Sequence, residues 1–281
     1  MKWRFIVYSL IIAFCLVAIG MGVYQQFFYK NSDTDMLMLG TTIGTKAVEQ
    51  QEKEEAIKNE FYDIFKNSLV YVTNNVNNKA TRADMSKDLI YTVNQVSKVE
   101  SGKYEMNINL PAINIVSQNA QNINKKIEDT FIPKATSLLT STGGNYTIYN
   151  IDYAGFVNNN VLSLIIRATL KEGQNPQRVM FMTYNYNLDN GKLLTFNDIL
   201  EMKSITTATM QNKINKEIQE ISKKNQSFKQ IGYSVFERNP NDSMYKVEET
   251  KLYFIGPNSD GYVLYAYGNT NNTSEVDIII F

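Results

Sequence analysis

Residues 149–188, YNIDYAGFVNNNVLSLIIRATLKEGQNPQRVMFMTYNYNL, contain three alternating runs joined by short polar connections. Tyr149, Ile151 and Tyr153 alternate in the first run. Leu162, Leu164, Ile166, Ala168 and Leu170 do so in the second, and Met180, Met182, Tyr184, Tyr186 and Leu188 in the third. A period of two sends successive side chains to opposite faces, so each run reads as a strand with one face on a core. Asn158-Asn159-Asn160 make a tight turn between the first two. Polar connections this short join antiparallel neighbours, which predicts a meander rather than a crossover.

The same pattern extends outward in both directions. Upstream, residues 89–97 (LIYTVNQVS) lead through Glu100-Ser101-Gly102-Lys103 into the strictly alternating YEMNINL of residues 104–110. Pro111 has no N–H to donate and is expected to end that pairing. A helix follows, with Ser117 as its N-cap and Val116, Ala120, Ile123, Ile127 and Phe131 on one side. Downstream, Asp189-Asn190-Gly191-Lys192 is a turn, and Thr195-Phe196-Asn197-Asp198 has capping-box spacing with Asp in the Glu place. A helix over 204–224 puts Met210, Ile214, Ile218 and Ile221 on one face. Residues 252–255, 262–267 and 276–281 complete the strands around a turn at 256–261. The order predicts an α+β fold: an antiparallel sheet with helices packed on one face.

Ahead of this domain, residues 5–24 (FIVYSLIIAFCLVAIGMGVY) form one uncharged run, about the roughly 20 residues a helix needs to cross a bilayer. Lys2 and Arg4 before it predict a cytoplasmic N-terminus. Residues 1–4 are then a cytoplasmic tail, 5–24 a transmembrane anchor, 25–47 a flexible linker and 77–281 the extracytoplasmic domain. Over 48–76, Ile57, Phe61, Ile64, Phe65, Leu69, Val72 and Val76 fall at helical spacing, predicting a juxtamembrane amphipathic helix docked on the domain beyond. A cleaved signal peptide is the alternative for the apolar run, because Ala18-Ile19-Gly20 offers small residues. Acylation at Cys15 is set aside, since bulky Phe14 precedes it.

Composition removes whole classes of chemistry. Lysine plus arginine and aspartate plus glutamate both number 28, with no basic stripe for nucleic acid. The chain has no histidine, and its one cysteine lies in the apolar run. Histidine triads, Cys–His pairs, His-ligated zinc and disulfides all lose their residues. Neither cofactor nor metal is expected.

Three candidate sites remain. Ser243-Met244-Tyr245-Lys246 has Ser-x-x-Lys spacing, but Pro240-Asn241-Asp242 marks a loop and Lys-Thr-Gly is missing, so it reads as an exposed turn. Asp152, Asp189, Asp198, Glu248, Glu249 and Asp260 could offer a carboxylate pair for glycoside hydrolysis. Asp189 and Asp198 have structural work in a turn and a cap, and Glu248 with Glu249 would face opposite sides of a strand. The tyrosines Tyr149, Tyr153, Tyr184, Tyr186, Tyr262, Tyr265 and Tyr267 could form an exposed platform that stacks on sugars or anchors a protein. Tyrosine is also simply a favoured strand residue.

Residues 183–200, TYNYNLDNGKLLTFNDIL, resemble the element "strand, Asp-x-x-Gly-Lys, x-Leu-Thr-x-x-Asp-Leu-Phe" of a bacterial extracytoplasmic domain family of unknown function. That family is found in the anti-sigma factor RsiV, which senses lysozyme, and in the peptidoglycan deacetylase PdaC. Tyr262-Val263-Leu264-Tyr265 and the terminal strand are similar to its closing stretch. Residues 104–111, followed by Asn122-Ile123-Asn124-Lys125-Lys126-Ile127, are similar to its companion N-terminal module. The resemblance covers about residues 89–281. Where the family carries a Gly-Gly-Ala-His-type stretch, this chain has Gly173-Gln174-Asn175-Pro176-Gln177-Arg178, and lysozyme binding is not carried over. Residues 268–272 stand where the family usually has a Pro-Tyr-rich turn. Neither the sigma-binding nor the deacetylase activity is expected here.

Together these features predict a non-catalytic binding or sensing domain of the cell envelope, with an extracytoplasmic protein or a cell-wall glycan as partner and the lipid bilayer met through residues 5–24. A carboxylate-based wall polysaccharide hydrolase is the alternative.

Overall fold

A computed structural model describes residues 61–65, 70–72, 80–140, 144–268 and 274–281. A first sheet runs in the order β2 (Ile90–Glu100), β3 (Tyr104–Ile113), β4 (Thr147–Asn158), β5 (Val161–Glu172) and β6 (Arg178–Asn187), with the short β1 (Val70–Val72) alongside β4. The β4–β5–β6 meander is antiparallel, as the alternation and short turns predict. Asn159 and Asn160 take the positive φ values of 43° and 64° that the tight turn demands.

The sheet is nevertheless mixed, which corrects the all-antiparallel expectation. β3 pairs with β4 in parallel over Tyr104 to Ile108, and β1 pairs with β4 in parallel further along. The cause is α1 (Gln118–Thr140), whose 23 residues lie between β3 and β4. At 1.5 Å per residue it carries the chain roughly 35 Å back, so the next strand starts at the same end as the last. Ser117 caps this helix, accepting from the Ala120 N–H at 3.0 Å. Its face of Ala120, Ile123, Ile127 and Phe131 is buried, whereas Val116 lies before the first turn and is exposed. Pro111 does not end β3. It sits opposite Thr92 beside a register shift between Thr92 and Asn94, where the ladder needs no donor from it.

After Thr195 caps α2 (Phe196–Met202) and Thr206 caps α3 (Thr207–Gln230), the remaining strands form a second sheet instead of extending the first. It is antiparallel, in the order β7 (Tyr253–Ile255), β8 (Gly261–Tyr267), β9 (Glu275–Ile280). Each sheet carries one long helix on one face. α1 covers Met106, Ile108, Ile151, Leu164 and Ile166, and α3 covers Val263, Tyr265, Tyr267 and Ile279 with Met210, Ile214 and Ile218. The two halves meet through a buried polar seam. The Ser163 hydroxyl donates to Asn185 Oδ1 at 2.6 Å and accepts from the Ile255 N–H at 3.1 Å, while Asn185 Nδ2 donates to the Tyr253 carbonyl at 2.9 Å. Those bonds fix β7 against the face of β5–β6 that α1 leaves uncovered, because each buried polar atom loses water unless it finds this partner.

Within the span expected as one amphipathic helix, 48–76, the described residues are a 3-10 turn, Phe61–Phe65, and the strand β1. Phe61 and Phe65 are buried and pack with Phe181, Phe254 and Tyr262, and the Arg167 guanidinium lies 4.4 Å over the Phe65 ring. Burying two such rings contributes roughly 1.5–3 kcal/mol each. The anchor at 5–24 and the linker at 25–47 lie outside the described residues. Among the described residues no helix is long and apolar enough to cross a membrane.

Candidate functional site

The seven tyrosines do not make an exposed platform. Tyr149, Tyr153 and Tyr186 are buried beneath α1, and Tyr184 is half-buried against the same core. Tyr262 is stacked on Phe254 at 4.7 Å in the aromatic cluster around Phe61, and Tyr265 and Tyr267 are buried beneath α3. Three of their hydroxyls find internal partners, Tyr153 with Thr92 Oγ1 at 2.9 Å, Tyr186 donating to Ser117 Oγ at 2.7 Å and Tyr267 donating to Asp277 Oδ2 at 2.7 Å, whereas those of Tyr184 and Tyr265 are buried without a hydrogen-bond partner among the described residues. Burial pushes the Tyr149 and Tyr265 phenols up to about 12, the signature of rings withdrawn from water. The stripe is core, divided between two sheets.

Three of the six carboxylates are engaged structurally as well. Asp152 pairs with Arg167 at 3.0 Å, and Asp189 accepts from Asn160 Nδ2 at 2.8 Å. Asp198 completes a capping box by accepting from the Thr195 N–H at 2.7 Å, and pairs with Lys192 at 2.8 Å. Lys192 and the Thr195 donors together hold its pKa down at about 2. Glu248 and Glu249 lie in a 3-10 turn, not on a strand, and both are exposed. Asp260 closes the turn after β7 through its backbone. Ser243 opens a single 3-10 turn and Lys246 follows it, both exposed on either side of the buried Tyr245, and not on the buried helix that a serine–lysine nucleophile needs. Among the described residues no group of three or more Asp, Glu, Cys or His side chains converges as a metal site would require.

The site with recognisable binding chemistry is a cleft of about 320 Å³ at one end of the first sheet. Four elements build it. The β2–β3 turn supplies Lys103, the last turns of α1 supply Lys134 and Ser137, the entry to β4 supplies Asn145, and the end of β5 with its following turn supplies Glu172 and Asn175. The parallel crossover makes this possible, since it returns the start of β4 to the start of β3 beneath the end of α1. Gly102, at φ 74°, permits the sharp reversal that presents Lys103. Tyr104 and Leu138, both buried, form the floor. Lys134 is ion-paired with Glu172, and Lys103 with Glu100 at 2.6 Å. All four side chains are 34–43% exposed, so the pairs are solvated and readily exchanged for a ligand's groups. Amides, a hydroxyl, two ammonium groups and the Glu172 carboxylate around a small floor suit a polar, hydroxylated ligand, and a carboxylate on it would reach the lysines only by exchange with Glu100 or Glu172.

A second cluster is centred on a buried ion pair. Arg238, with its side chain 3% exposed, donates from Nε and Nη2 to both oxygens of Asp277 at 3.0 and 2.9 Å, and pairs with Glu275. Its guanidinium lies 4.5 Å over the Tyr267 ring, and Tyr267 in turn is bonded to Tyr245 at 2.8 Å. Burial next to the Asp277 charge drives the Tyr267 phenol far above its usual range. This network clamps the segment after α3 onto β9. Nothing local in the sequence marks it, because Arg238 and Asp277 lie 39 positions apart.

No protein-family model matches the chain, and no curated protein matches it. Among solved structures the chain is similar to a DUF3298 family protein from Pseudomonas aeruginosa, with 9% identity and a TM-score of 0.36, covering 73% of this chain and 91% of that one. It is also similar to a member of the same family from Bacteroides fragilis, with 11% identity and a TM-score of 0.35 over the same shares of the two chains. At such identity and superposition neither likeness says which residues bind anything.

Proposed function

We propose that this protein is a non-catalytic binding domain of the bacterial cell envelope, held outside the membrane by a helix at residues 5–24 with residues 1–4 in the cytoplasm, and that it recognises a cell-wall glycan. The observation that carries the reading is the cleft between α1, β4 and β5. Its Asn145 and Asn175 amides match sugar hydroxyls and acetamido groups, and Lys103 and Lys134 match a carboxylate. Of the carboxylates that could serve a glycosidase, Asp152, Asp189 and Asp198 are held by an arginine, a turn and a helix cap, and Glu248 with Glu249 lie exposed on a 3-10 turn outside the cleft. A protein partner is the second member of this binding class, but the narrow polar lining favours a small saccharide over a flat protein surface.

The test is co-sedimentation of the full chain, in mild detergent, with purified insoluble peptidoglycan. The double substitution Lys103→Glu, Asn175→Ala changes two exposed side chains and is expected to weaken retention about tenfold, or ~1.4 kcal/mol. Undiminished retention would remove the cleft as the site. Release of soluble reducing sugar by the unsubstituted chain would replace binding with hydrolysis.

A further inference from the structure

Helix α3 outruns the sheet it covers. Ile221 is its last side chain packed on that sheet's core and Asn225 still donates to the Phe236 carbonyl, yet the helix continues to Gln230, roughly 8 Å further at 1.5 Å per residue. Residues 226–234 are exposed without interruption. Within them stand Phe228, Ile231 and Tyr233, at 49%, 70% and 64% exposure, the tightest run of large exposed apolar side chains among the described residues. The tip is rigid. Tyr233 N–H donates to the Phe228 carbonyl and Gly232 N–H to the Lys229 carbonyl, each at 3.0 Å, with Gly232 at φ 93°. That is the double-bonded helix end in which a left-handed glycine closes the last turn.

The local geometry explains part of this composition. A helix end of this kind favours an apolar contact between the residues corresponding to Phe228 and Tyr233, whose rings meet edge-on at 6.1 Å. The helix dipole favours a cation in the last turn, where Lys229 stands, paired with Glu237. Neither effect accounts for Ile231, the most exposed of the three. Between residues 222 and 237 there are three lysines and a single carboxylate, Glu237. An apolar tip with aromatic rings, ringed by lysines, is the composition of an element that enters the interfacial layer of an anionic bilayer.

We propose that the 228–233 tip docks on the anionic phospholipid face of the membrane. This rests on the anchor placed at residues 5–24, which keeps the domain beside that surface. The intervening chain up to residue 61 spans at most roughly 130 Å, so the tip meets lipid at high effective concentration. A bilayer fits better than a second protein, because a convex tip with a positive collar offers no flat apolar area of interface size.

The test uses the full chain with Trp3, its one tryptophan, changed by Trp3→Phe and a reporter introduced by Ile231→Trp. The protein is reconstituted into vesicles of phosphatidylglycerol and phosphatidylcholine whose acyl chains are brominated. The expected result is a blue-shifted emission quenched about twofold or more by the brominated lipid, as burial of an apolar residue in the interface requires. High salt, pure phosphatidylcholine, or Lys223→Gln, Lys224→Gln and Lys229→Gln together should reverse it. An unquenched reporter in anionic vesicles overturns the proposal. So does a blue shift that grows with protein concentration but ignores the bromine, which would assign the tip to a second copy of the chain. Resistance to carbonate extraction reads the anchor separately, and in a chain that is extracted the same quenching assay with excess vesicles still decides the tip.

Discussion

Replacing Asp277 by asparagine keeps the shape of the Arg238 clamp and removes its charge. Arg238 and Asp277 side chains are 3% and 6% exposed, so the guanidinium is left with Glu275, the Phe236 carbonyl, the Tyr267 ring and the single neutral oxygen that the substitution spares. Removing one partner of a buried pair costs about 3–5 kcal/mol, mostly the penalty of a charge left without its counterion. Glu275 is 26% exposed and remains as partial compensation, which places Asp277→Asn toward ~3 kcal/mol. Arg238→Met leaves Asp277 buried with only the Tyr267 hydroxyl described as a side-chain donor to it, and is expected to cost at least as much. Removing both charges, by Arg238→Met with Asp277→Leu, should recover most of the loss, because two buried charges are no longer desolvated. The assay is urea unfolding of the full chain followed by circular dichroism. With a slope of about 2–3 kcal/mol/M, a loss of ~3 kcal/mol lowers the midpoint by roughly 1–1.5 M. A midpoint for Asp277→Asn within ~0.3 M of the unsubstituted protein, or a double variant whose loss equals the sum of the singles, would refute the clamp.

Three further outcomes follow from other contacts. Asp198→Asn should lower stability by ~1 kcal/mol at neutral pH, the worth of a cap, since Lys192 is 58% exposed and its share is screened. Because the folded pKa lies below the unfolded value, the Asp198 contribution is present above about pH 4 and fades as pH falls toward 2. Acid titration of midpoints should therefore show the gap between Asp198→Asn and the parent closing over that interval, and a constant gap would contradict the assignment. Phe61→Ala empties the centre of the Phe181–Phe254–Tyr262 cluster and should cost about 3–5 kcal/mol, with amide exchange accelerated in Val70–Val72. Unchanged exchange there would mean that the strand holds its place without the ring. Gly191→Ala puts a Cβ 2.9 Å from the Tyr186 hydroxyl at a φ of 71°, and should destabilise by ~1–3 kcal/mol in the same unfolding assay.

The strands are legible because their alternation is a local property: Met106, Ile108, Ile151, Leu164 and Ile166 face the same helix in the fold as their spacing requires. The caps at Ser117 and Thr195 are local too, each needing only a hydroxyl three residues from an orphan N–H, whereas Thr206, the cap of α3, falls inside the helix expected from residue 204. Pairing is not local. The parallel register of β3 on β4 follows from the length of α1, and the separation of β7–β9 into a second sheet follows from the polar seam at Ser163 and Asn185. Phe61 and Phe65 lie one helical turn apart and do share a buried face, but the β-branched Val70 and Val72 find the open edge of β4 instead of another turn. The tyrosine stripe shows how composition misleads: alternating tyrosines describe a core equally well, and only burial separates core from platform. The cleft had no signal, because Lys103, Lys134, Asn145 and Glu172 come from four elements and meet only at the end of the crossover.

The central claim is that the cleft between α1, β4 and β5 holds a wall saccharide without altering it. Hydrogen exchange of the full chain in the presence of soluble muropeptides tests this directly, with the saccharide recovered and weighed afterwards. The account predicts saturable protection confined to segments 103–104, 134–138, 144–147 and 172–175, with the muropeptide returned intact. Protection elsewhere with none in these segments, or a muropeptide returned cleaved, would contradict it.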